Sequence, residues 1–167
     1  MLKRSYPIAR ILLIALCLAM AMLTGCGKQH VPPTPYQSGQ IKAGTGEAIA
    51  ATAKTQLGRP YVYGGNSPSK GFDCSGLVYW ACANNGITVP RISSEQARVG
   101  DRVNRNDLRP GDIVVFKIPR SGYHTGIYIG QDKFIHSPKP RTKVRIESLS
   151  VSYWKKNFLT ARRVARR

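Results

Sequence analysis

The chain has 167 residues, room for one domain of ordinary size, and carries 26 Lys+Arg against 8 Asp+Glu for a formal net charge of +18. That balance favours a polyanionic partner: nucleic acid, acidic lipid headgroups, or a wall polymer rich in carboxylate and phosphate. Only Lys3, Arg4 and Arg10 of the basic residues precede Cys26, and all 8 acidic residues follow it, so the remainder is still strongly basic.

The N-terminus reads as a leader. Lys3, Arg4 and Arg10 form a charged segment, and the apolar run 11–23 after it is shorter than the roughly 20 residues of a membrane span. The run ends in Leu23-Thr24-Gly25-Cys26, small residues before a cysteine, which resembles the bacterial lipobox. That resemblance implies a signal peptide over 1–25 and lipidation, including palmitate, at Cys26. An export signal argues against nucleic acid as the partner. Residues 26–46, with Pro32, Pro33 and Pro35 and no apolar periodicity, read as the lipidated Cys and a flexible tether, which as a random coil reaches only about 25 Å. The folded domain is expected over 47–167.

Glu47 to Leu57 is Ala-rich and stopped by Gly58 and Pro60, a helix with its usual ending. Phe72 to Asn85 reads as a second helix, with Asp73 as N-cap, Leu77, Val78, Ala81 and Cys82 as its apolar stripe, and Asn85-Gly86 as its stop. Cys74 belongs to the first turn of that stripe, which would dock the helix on a sheet and aim the sulfur at it. Strands are expected over 113–116, 125–129, 133–136, 143–146 and 158–164, with Pro110-Gly111-Asp112 and Gly130-Gln131-Asp132 as turns. Helices followed by short strands predict an α+β domain with an antiparallel sheet.

Cysteine usage narrows the chemistry. Cys17 leaves with the leader and Cys26 would be lipidated, so the domain keeps Cys74 and Cys82. On one helix these lie about 12 Å apart, beyond the roughly 7 Å between Cα atoms that a disulfide tolerates. An exported chain with a free thiol at a helix start suggests a reactive cysteine, because the unpaired N–H groups there favour the thiolate. Cys82 is expected only to pack.

A thiol nucleophile needs a base that later protonates the leaving amine, usually His. The chain has 3 histidines, of which His30 lies in the tether. His124 opens one expected strand and His136 closes the next. Their rings share a face only if the connection between the strands has an odd residue count, for example a three- or five-residue loop containing Gly130; a two-residue loop would separate them. Cys74, His124 and His136 could also supply three metal ligands, but no pair has the short spacing of zinc sites. No metal and no cofactor is expected, and Gly64-Gly65 and Gly71 make no P-loop.

The order Cys, His, polar residue is that of the papain-like fold. Pro60 to Gly65, Phe72 to Val78, Pro110 to Asp112, His124 to Gly130 and Phe134 to His136 together resemble the successive motifs of the NlpC family of cell-wall cysteine peptidases, from about residue 47 to 164. The resemblance implies a papain-like α+β fold with helices on a small antiparallel sheet and the nucleophile at a helix N-terminus. It implies Cys74 as nucleophile, His124 as base and acid, and His136 as the group orienting His124. Tyr63 would line the oxyanion hole with the backbone N–H of Cys74, and Asp73, Ser75, Arg91 and Ser93 would contact substrate.

The activity implied is hydrolysis of peptidoglycan stem peptides, at a γ-D-glutamyl–diaminopimelate or a D-alanyl–diaminopimelate bond. The residues by themselves leave open a non-catalytic wall-binding lipoprotein, or a thiol acyltransferase or amidase of related fold. The expected partners are peptidoglycan and, through Cys26, a membrane; Gly27 after the lipidated cysteine points to an outer membrane facing the periplasm if the host has one. Oligomeric state is not written in the chain. The arginines at 162, 163, 166 and 167 are the densest basic cluster and the candidate contact for an anionic polymer.

Overall fold

The computed structural model describes residues 45–165. The leader, Cys26, the tether up to residue 44, Arg166 and Arg167 lie outside the described residues; Thr45 and Gly46, expected in the tether, open the first helix.

Helix α1 (Thr45–Lys54) is followed by a short ribbon of β1 (Asn66–Ser67) and β2 (Gly71–Phe72), then α2 (Cys74–Ala83) and α3 (Ser93–Gln96). Next come β3 (Asp101–Val103), β4 (Ile113–Ile118), β5 (Gly122–Gly130), β6 (Lys133–His136), β7 (Arg145–Ser148), α4 (Ser152–Asn157) and β8 (Phe158–Arg163). The main sheet has the order β3-β8-β4-β5-β6-β7 with every neighbour antiparallel. Expectation and structure agree on an α+β domain with helices on an antiparallel sheet. They differ locally: Phe72 ends β2 instead of opening α2, the strand expected over 143–146 is shifted to Arg145–Ser148, and β3, α3 and α4 were not anticipated.

Side chains alternate along the strands, so the sheet divides the interior into two cores. Ile113, Val115, Ile127 and Ile135 face α1 and α2, where they meet Ile49, Phe72, Leu77, Val78 and Cys82. Val114, Phe116, Phe134 and Ala161 face the other way and are covered by Leu149 and by Trp154 of α4. Burying such side chains contributes about 1.5–3 kcal/mol each. The second core matters for function, because both domain histidines belong to its face.

The β5–β6 hairpin decides this. From the last regular pair, Tyr128↔Phe134, residues 129–133 make the reversal, an odd number that includes Gly130 at φ +92°. Within it, Gln131 and Asp132 both have positive φ, as a type I′ turn requires, and the register shifts between Tyr128 and Gly130. The two-residue turn alone would set His124 and His136 on opposite faces. The bulge reverses that parity, and the rings share a face.

Candidate active site

Cys74 begins α2 under a built cap. Asp73 is the N-cap residue, its Oδ1 accepting from the Gly76 N–H at 2.6 Å, while its Oδ2 accepts from the Gly64 N–H at 2.9 Å. Arg91 grips the same carboxylate from both nitrogens, at 2.9 and 2.8 Å, and also donates to Ser75 Oγ and the Gly65 carbonyl. Such a bidentate pair fixes orientation as well as charge. The glycine turn therefore folds onto the helix start, and a Cβ on Gly76 would collide with the Gly65 carbonyl oxygen.

Gln96 of α3 ties this assembly to the sheet. It is fully buried, donating to the Ser75 and Pro90 carbonyls at 3.0 and 2.8 Å and accepting from the Thr125 hydroxyl at 2.9 Å. The residue after His124 is thereby linked to the residue after Cys74.

On the opposite side, His124 Nε2 and His136 Nδ1 are 2.8 Å apart. His124 is 6% exposed and stacks on Trp154 with centroids 5.5 Å apart and planes at 25°. His136 is fully buried and meets Trp154 edge-on at 5.0 Å. Beyond it, Glu147 of β7 brings Oε1 to 3.8 Å from His136 Nε2, and the Trp154 indole N–H and Arg145 guanidinium donate to the same carboxylate.

The helix layer and the imidazoles lie on different faces of the sheet, so the sulfur does not approach across a face as the apolar stripe suggested. Helix α2 instead packs against β5, and Cys74 and His124 line the same cleft. Cys74, Ser75, His124, Arg91 and Ser93 line one open cleft of about 1090 Å³, together with Tyr61, Tyr63 and Trp154.

Burial sets the resting charges. The Cys74 thiol is raised above its ordinary value, first by desolvation and then by the Asp73 charge, against the lowering hydrogen bonds from Thr125 and the helix start. His124 is lowered from 6.5 to about 3, first by desolvation and then by His136, with Glu147 opposing. His136 is also lowered, again first by burial. The helix start alone suggested a depressed thiol; burial outweighs it, pushing the thiol up and the imidazole down, each toward its neutral form. Cys82 is free and buried, its thiol pushed up to about 12 by desolvation, which suits packing alone.

Tyr63 and Tyr61 both line the cleft but are held differently. Tyr63 sits in the turn before Gly64 and is 90% exposed, whereas Tyr61 is held by a parallel bridge to Phe72 and an N–H bond to the Thr142 carbonyl. Burial, and then the charges of Cys74 and Asp73, push the Tyr61 hydroxyl above its ordinary value. Only the pairing of 60–61 with 142–143 reveals this, since the sequence offers two tyrosines two residues apart. Ser93, expected at the cleft, is there and donates to the Tyr123 carbonyl at 3.1 Å. The arginine cluster is partly internal: Arg163 pairs with Asp112 and Arg162 donates to the Ala97 carbonyl. Its described members are thus spent on the fold.

A model of the NlpC/P60 family matches residues 58–163. The chain belongs to the NlpC/P60 family. Murein DD-endopeptidase MepH of Escherichia coli K12 is 43% identical over 114 residues, 65% of this chain and 42% of that protein. Gamma-D-glutamyl-L-lysine dipeptidyl-peptidase of Bacillus subtilis is 37% identical, with 72% and 41% covered. A solved NlpC/P60 family protein from Bacillus cereus superposes with a TM-score of 0.70 at 32% identity, covering 78% of this chain and 43% of that one. The chain spans less than half the length of these relatives. The NlpC/P60 match takes in Cys74, His124 and His136 together with the loop carrying Arg91 and Ser93.

Proposed function

We propose that this NlpC/P60 domain is a peptidoglycan endopeptidase that cleaves stem-peptide amide bonds by thiol catalysis. The observation that carries the reading is a cysteine at a capped helix start sharing one cleft with His124, whose Nε2 lies 2.8 Å from Nδ1 of the buried His136. Relatives named murein DD-endopeptidase and gamma-D-glutamyl-L-lysine dipeptidyl-peptidase support wall peptide as substrate.

In this reading Cys74 attacks the peptide carbonyl as His124 takes its proton, which suits a pair that rests neutral. The imidazolium then donates that proton to the leaving amine, and water cleaves the thioester with His124 again acting as base. His136 orients His124. The tetrahedral oxyanion is met by the Cys74 N–H and a tyrosine hydroxyl, for which Tyr61 is better placed than Tyr63. Asp73 and Ser75 act through Arg91, whose bidentate grip leaves Asp73 little freedom to bind substrate directly. That favours a shaping role for both.

The test is digestion of purified sacculi, with the new peptide ends identified by mass spectrometry. Ends freed at γ-D-glutamyl–diaminopimelate or at D-alanyl–diaminopimelate distinguish the two bonds, and Cys74→Ala abolishes both. Unchanged muropeptides with folded protein would overturn the hydrolase. Transfer of an acyl group to an amine or lipid instead of water would favour the acyltransferase.

The leader and Leu23-Thr24-Gly25-Cys26 support a lipid anchor at Cys26, in an outer membrane facing the periplasm where one exists. Labelled palmitate should enter the wild-type chain and not Cys26→Ala.

A further inference from the structure

We propose that Glu147 is a positioning residue that sets the tautomers of His136 and, through it, of His124, leaving His124 Nδ1 as the unprotonated nitrogen. The inference rests on the thiol-peptidase reading above and extends it beyond the histidine pair.

The geometry starts at a buried nitrogen. His136 Nε2 is buried without a hydrogen-bond partner, and Glu147 Oε1 stands 3.8 Å from it. Glu147 and Arg145 stand opposite Phe134 and His136 across the β6–β7 ladder, so all four side chains share the sheet face of His124. Two other donors hold the carboxylate: Arg145 Nε at 2.6 Å on Oε1 and the Trp154 indole N–H on Oε2. The charges and titratable groups around the two rings are thus Glu147 and Arg145 from β7, Cys74 from α2, and the rings themselves; α4 contributes the neutral Trp154.

An anion cannot donate a hydrogen bond. A lone pair on His136 Nε2 would face that anion in a buried site, whereas an Nε2–H is attracted to it. His136 Nε2 therefore carries the proton and Nδ1 keeps its lone pair. Across the 2.8 Å contact one partner must donate, so His124 donates from Nε2. With the ring neutral, His124 Nδ1 is then bare and ready to accept a proton from Cys74. The carboxylate is held anionic by the donors on it, the Arg145 Nε–H on Oε1 and the Trp154 indole N–H on Oε2. Carboxylates that orient a histidine in this way fix its tautomer and raise its basicity.

The experiment reads ring protonation in the resting full chain, by long-range ¹H–¹⁵N correlation on histidine-labelled protein at pH 7.5. His136 and His124 should both be Nε2–H tautomers; a proton on His136 Nδ1 overturns the proposal without any variant. Glu147→Gln should give His136 a mixture of tautomers and lower kcat about 10–100-fold with KM within about twofold. Wild-type tautomers together with wild-type kcat in that variant also overturn it. Because the tautomers are read without substrate, sacculi left intact by a protein whose rings are protonated as expected would count against the hydrolase alone.

Discussion

The two halves of the candidate site are held by different physics. The cysteine side is a capped helix start, fastened by one carboxylate, one guanidinium and backbone N–H groups: Asp73 serves Gly64, Gly76 and Arg91 at once. The histidine side is an aromatic enclosure in which Trp154, Phe116 and Phe134 pack the rings and Glu147 supplies the one facing carboxylate. Polar fastening near the cleft sets direction, while apolar burial on the far side keeps the imidazoles neutral. Placing a nucleophile takes short-range capping; tuning its base takes an enclosed volume assembled from four elements.

The largest test of this contrast removes one half. His124→Ala should lower muropeptide release about 10²–10⁴-fold, the range of a general acid–base group, with folding retained. A loss below tenfold would mean that the enclosure serves stability and not chemistry.

Arg91→Leu tests the other half. It strips charge-assisted bonds from Asp73, whose side chain is 13% exposed, and should destabilise the domain by about 2 kcal/mol in urea unfolding. Activity should fall further than stability predicts, because the Gly64-Gly65 turn loses its anchor. Trp154→Phe is gentler. It keeps a ring against His124 but removes the indole donor to Glu147, and should cost about 1 kcal/mol.

The last test is of acid stability. His124 is depressed below its ordinary 6.5 when folded, so the unfolded chain binds the proton first and stability falls as pH drops below about 6.5. Glu147 is depressed from 4.5 to about 2, so its contribution is present above 4.5 and fades as pH falls toward 2. Thermal scans from pH 7 to pH 3 should show a falling Tm, and Glu147→Gln should flatten the portion below pH 4.5. A Tm that rises on acidification would contradict the neutral burial of the pair.

Local chemistry made the cysteine half legible: Asp73 before an apolar stripe is a cap wherever the helix docks, and Cys74 follows from it. The strands β4, β5, β6 and β8 were readable from short apolar runs between turn residues, whereas α4 was not, since Ser152–Asn157 is too short to show a helical period. Gln96 looks like any polar residue after a proline loop until three chain segments converge on it. Tyr61 and Tyr63 are equivalent by composition and differ only because one is bridged and the other lies in a turn.

By itself, then, the sequence determined the residue types and their order, the helix cap, the free thiol and the family those motifs belong to, because these depend on neighbours along the chain. Tertiary structure alone decided that the two imidazoles share a face, that Glu147 stands behind them, and that Tyr61 is bridged to Phe72 while Tyr63 stands exposed in a turn. A single bulged residue reverses the parity of a strand, and contacts across a ladder join positions with no fixed spacing, so neither can be read along the chain.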